Sequence, residues 1–100
     1  MNRWESFFEN IIQQQLPKTT MIQKSFYPKT IAQDFGDLVR FELEIYQKIG
    51  LVDCWSSGTV SIEVFDVDMN ELLFIVLALP DEINKIKSTF NRLVNVLNTD

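Results

Sequence analysis

The run Leu72-Leu-Phe-Ile-Val-Leu-Ala-Leu79, closed by Pro80, is the longest unbroken apolar stretch of the chain and the feature that most restricts its fold. It is about half the length that a membrane-spanning helix needs. A stretch this short and this uniformly apolar suits a central strand covered on both faces, or a strand whose second face meets another molecule. Just upstream, Val60, Ile62 and Val64 alternate with Ser61 and Glu63, and then Phe65 and Val67 alternate with Asp66 and Asp68. The apolar parity therefore switches midway, which predicts a bulge, or a strand buried on both sides near its end. Asp68 to Glu71 reads as a polar turn. Leu51 to Trp55, closed by Ser56-Ser57-Gly58, supplies a further strand of the same meander.

Helical spacing governs the two ends of the chain. Trp4, Phe7, Phe8, Ile11, Ile12 and Leu16 recur at i, i+3, i+4, i+7, i+8, so residues 3 to 15 form a helix with Asn2 as N-cap and Glu5 at its third position. Pro17 disfavours a helical Leu16 and ends it. At the other end, Asp81 and Glu82 place negative charge at the start of a helix that buries Ile83, Ile86, Phe90, Leu93, Val94 and Leu97. Between them, Met21 to Tyr27 reads as an edge strand, because an unstructured connection from Lys18 to Lys29 would be unusually long. Thr30 followed by Gln33 has the capping-box pattern and opens a second predicted helix, which runs to Ile49 and stops at Gly50. On a wheel, Ile31, Phe35, Leu38, Ile45, Tyr46 and Ile49 then share one stripe, with Glu42 in its middle. A carboxylate so placed must pair with a base, reach solvent, or face a partner's cation. Asp37, Arg40 and Glu44 fall on the opposite face at ordinary ion-pair spacing.

The expected fold is α+β, a single domain over residues 1–100: two N-terminal helices, a small antiparallel sheet of two to four strands, and a C-terminal helix packed on the sheet in one helical layer. Charges of both signs in Met1 to Asn10 do not resemble a secretory leader, and one cysteine allows no intrachain disulfide. Both point to a cytoplasmic protein without a membrane span.

Charge separates the function classes. The chain carries a net −5, and residues 51–79 contain five acids, Asp53, Glu63, Asp66, Asp68 and Glu71, and no Lys or Arg. The rest of the chain is neutral in sum. Direct nucleic-acid binding needs a basic face, which the sheet region lacks. Acids so concentrated attract a basic protein surface, and they also serve solubility and blunt sheet edges. Catalysis has little support. There is no histidine, Cys54 has no basic neighbour in sequence to activate it, and carboxylate-only chemistry needs a cleft that so short a chain can hardly wall. Asp66-Val-Asp68-Met-Asn70 begins like a calcium loop, but Glu71 stands where glycine is required and Leu77 where a bidentate glutamate is required. No cofactor or metal site is expected. Trp55 is either core or an aromatic anchor for a partner.

A small, acidic, cysteine-poor α+β chain of this size, charge and element order resembles the immunity proteins that bacteria carry against their own toxins, including those of contact-dependent growth inhibition systems. The resemblance implies tight binding of one cognate toxin domain, frequently a basic nuclease, with acidic side chains occupying its phosphate-binding site. Asp53, Glu63, Asp66, Asp68 and Glu71, with Trp55, are the contacts that the charge distribution suggests. A small acidic secretion chaperone acting as a homodimer, joined through Leu72–Leu79 or the last helix, is the alternative; an inhibitor works as a monomer or a homodimer.

Overall fold

Asn2 opens the first helix in the way its spacing from Glu5 predicts. Its Oδ1 accepts from the Glu5 N–H at 2.7 Å while Glu5 Oε1 accepts from the Asn2 N–H at 3.4 Å, a reciprocal cap. Helix α1 (Arg3–Phe7) continues without a break through a π-helical stretch (Phe8–Ile12) and a 3-10 turn (Gln13–Gln15), and the chain turns extended at Leu16, before Pro17. The computed structural model describes residues 2–28 and 35–99.

Five strands follow: β1 (Met21–Tyr27), β2 (Leu38–Ile45), β3 (Lys48–Trp55), β4 (Val60–Asp66) and β5 (Glu71–Ala78). They form one antiparallel sheet in sequential order, with β1 and β5 at its edges, and helix α2 (Ile83–Leu97) closes the fold. The architecture is α+β as expected, with β1 where the sequence places an edge strand.

Three expectations are corrected. The second N-terminal helix does not form: its described part is strand β2, the tight turn Tyr46-Gln47 and the start of β3. Its opening, Thr30 to Asp34 with the Gln33 capping pattern, lies outside the described residues. The physical reason is the alternation of Val39, Phe41, Leu43 and Ile45 with Arg40, Glu42 and Glu44, a period of two that buries every second residue against a core. Gly50 is accordingly no helix terminus; it sits inside β3, where a Cβ would lie 3.4 Å from Leu43 and 3.6 Å from Leu93 of α2. Secondly, the sheet has five strands where two to four are expected. Thirdly, the apolar run Leu72–Leu79 supplies an edge strand, not a central one.

A register shift lies at Val64/Phe65, where Val64 pairs with Phe74 but Phe65 pairs with Leu72, but it corrects the expectation: the extra residue is Leu73 on β5, while β4 itself keeps its alternation and turns Phe65 to the face away from the helices. All helices pack on one face of the sheet. Trp4, Phe8 and Ile12 from the first helix and Ile86, Phe90, Leu93 and Leu97 from α2 meet Val39, Phe41, Val52, Ile62 and Val64 from the strands. Phe8 lies against Phe41 with ring centroids 4.3 Å apart. The C-terminal helix thus turns the stripe predicted for it to the core, while Glu82 turns back to accept the Leu79 N–H at 2.8 Å.

Candidate protein-binding face

Because the described helices cover one face only, residues of opposite parity line the other face, which the described residues leave open except near the start of β2, where Leu38 and Asp53 are buried, and the register lines these residues up in rows. One row is Gln23, Glu42, Leu51, Glu63 and Ile75; the next is Met21, Glu44, Ile49, Phe65 and Leu72. A third is Ser25, Arg40, Asp53, Ser61 and Leu77. The centre and the β5 side of this face are apolar. Ile49, Leu72, Ile75 and Leu77 are exposed, Ile75 by 57%, while Leu51 and Phe65 are half-buried. Acids frame that floor. Glu42 and Glu63 flank Leu51 two strand spacings apart, about 10 Å, and Glu44 follows Glu42 along β2 at about 7 Å. A shallow depression of about 400 Å³ beside them is lined by Met21, Gln23, Glu42, Glu44 and Ile49.

Among the described residues the open face carries one cation on its strands, Arg40, and that cation is spent. Its Nε and a terminal nitrogen donate to the two Asp53 carboxylate oxygens at 2.7 and 3.0 Å, and its guanidinium lies 5.7 Å from the Tyr27 ring. These hydrogen bonds raise the Arg40 pKa above its ordinary value. The Asp53 side chain is 9% exposed. Glu42, Glu44 and Glu63 make no ion pair with any described base.

The acids singled out in the sequence therefore do not form one patch. Asp53 is buried and neutralised by Arg40. Glu63 stands on the open face. Asp66 is the register partner of Lys48 on the neighbouring strand, lines a depression with Leu73 and Asn95 on the helical side, and accepts the Met69 N–H at 3.0 Å. Asp68 is exposed in the turn that follows β4, and Glu71 is exposed at the start of β5. Trp55 is half-buried, packed edge-on against Phe35 with centroids 5.2 Å apart. Glu42, the misfit on a helical stripe, is exposed beside Glu44. Helical spacing assigns Glu44 to a surface ion pair and gives no reason to place Ile49, Leu51, Phe65 and Ile75 together. Period-two counting across Leu38–Ile45 is the signal that finds the strand and, with it, this face.

Cys54 lies on the opposite, covered side, fully buried, and burial pushes its thiol far above the ordinary range. Among the described residues, no group of three or more acids or cysteines is placed to hold a metal ion, and no helix is long and apolar enough to cross a membrane. No family model, curated protein or solved structure matches this chain.

Proposed function

We propose that the chain is a toxin-neutralising binding protein of the immunity type, and that it holds a basic toxin domain, a nuclease in the simplest case, against the open face of its sheet. The carrying observation is the apolar floor of Ile49, Leu51, Phe65 and Ile75 framed by Glu42, Glu44 and Glu63, with the strand cation Arg40 already committed to Asp53. An apolar centre with unneutralised charge of one sign at its margin favours a partner of the opposite sign, for both encounter rate and selectivity. Asp68 extends the negative field beyond one end of the sheet, while Glu71, the register partner of Asp66, stands with it on the helical side. Asp53 belongs to the scaffold that shapes the site.

Co-expression with the domain encoded beside this chain, followed by purification and an activity assay, tests the proposal. A stable complex in which the neighbour's activity is lost is the expected result. A neighbouring toxin that remains unbound and active would overturn it. The exposed apolar strand β5 favours a second reading, a homodimeric secretion chaperone, which instead predicts binding of an unfolded cargo segment by the dimer.

A further inference from the structure

The sheet has two edges, and they are built differently. On β1, Lys24 is an inward-pointing charge on the helix-facing side. It lies opposite Phe41, 5.7 Å from that ring, and its Nζ reaches Glu5 at 2.8 Å and Glu9 at 2.9 Å. An inward charge of this kind is a recognised way to stop an edge strand from pairing with another chain. Strand β5 has no such guard. From Leu72 to Leu79 it contains no charged residue and no proline, and Leu72, Ile75, Leu77 and Leu79 are all exposed. Its bulge lies at one end, near Leu73, so the remainder of its outer edge presents a regular series of backbone donors and acceptors that no described strand takes up.

We infer that the free edge of β5 is where a second copy of this chain joins, antiparallel and about a two-fold axis, so that the two five-stranded sheets run on as one. Charge decides where two copies of this acidic chain can meet. The chain has a net −5, and two copies stacked open face to open face would set Glu42, Glu44 and Glu63 against the same acids. The Leu72–Leu79 edge is the longest apolar stretch free of charge, so identical copies meet there without repulsion. An antiparallel register also keeps the two Glu71 side chains, the acids that begin β5, at opposite ends of the junction. With the axis perpendicular to the sheet, both helical layers stay on one side and Ile75 and Leu77 of the two copies adjoin on the other. The contact is isologous and closes as a dimer, leaving β1 of each copy as the outer, guarded edge. This inference stands on the edge of the sheet and does not depend on what the open face binds.

Sedimentation of the purified full chain at micromolar concentration reads the outcome. The expected species has twice the 11.7 kDa chain mass, and the Ile75→Lys/Leu77→Lys variant sediments at the single-chain mass. Both side chains are exposed, so the protomer fold is expected to persist, checked by its circular dichroism. A Glu42→Lys/Glu63→Lys variant remains dimeric. A monomeric wild type, or a dimer that survives the β5 double variant, would overturn the inference. Amide exchange in the wild type gives a second readout that needs no variant: β5 amides become more protected as concentration rises. Protection of β5 that is independent of concentration, or that arises only when another protein is bound, assigns the edge to something other than a second copy.

Discussion

Arg40 and Asp53 hold each other on the open face with unequal exposure, 31% for the arginine side chain and 9% for the carboxylate. Removing the two halves therefore has unequal effects. Arg40→Met leaves a carboxylate out of water without its cation and is expected to cost about 2 kcal/mol in urea unfolding, whereas Arg40→Met combined with Asp53→Leu recovers most of that loss. A double variant no more stable than Arg40→Met alone would mean that the pair is not what holds these strands in place. Asn2 is the second residue with a measurable single-site role. Besides closing the cap with Glu5, its amide donates to the Cys54 carbonyl at 3.2 Å, tying the start of the first helix to β3. Asn2→Ala should lower stability by about 1 kcal/mol, and Asn2→Asp, which keeps the cap acceptor but loses the amide donor, should fall between Asn2→Ala and the wild type.

Lys24 joins two elements, the first helix and the edge strand β1. Hydrogen bonds to Glu5 and then Glu9 raise its pKa, so its contribution to stability is fully present below the ordinary lysine value and is lost as pH rises through the raised folded value. The melting temperature of the wild type should accordingly fall more steeply above about pH 10.5 than that of Lys24→Met. The stability at stake is no more than about 1 kcal/mol, because the ammonium is partly solvated. Parallel curves for the two proteins would mean that Lys24 does not hold that edge. Elements whose local signals agree are legible in the sequence alone: the capped first helix, the stripe of α2 and the β1 edge; the bulge is not, because its extra residue, Leu73, lies on β5 inside a uniformly apolar run that shows no parity. The segment Leu38–Ile49 is not, because its residues satisfy two periods. Leu38, Ile45 and Ile49 line up on a helical wheel, while Val39, Phe41, Leu43 and Ile45 alternate as a strand. Pairing on both sides, with β1 and with β3, decides for the strand, and local spacing does not contain that information. The candidate face is half legible for the same reason. Glu63 and Glu42 both stand out in the sequence, but their shared row depends on register across three strands.

At the scale of the molecule, the fold is a one-sided sandwich whose helices commit themselves entirely to one face of the sheet. The apolar floor with Glu42, Glu44 and Glu63 is left uncovered by the described helices. On the proposed reading, electrostatic steering of a basic partner makes its association salt-sensitive, since exposed charges are screened over about 8 Å at physiological ionic strength. Reversal of Asp53 should act differently, by damaging the scaffold and lowering the melting temperature more than it alters the rate of encounter. The association rate with the proposed toxin partner, measured by stopped flow for the wild type and for Glu42→Lys/Glu63→Lys at low and physiological salt, tests the role of the open face most directly. The expected result is a fall of about tenfold or more in the variant at low salt, shrinking as salt is added, with the melting temperature unchanged. An association rate indifferent to both the charge reversal and the salt would contradict it and return these acids to solubility alone.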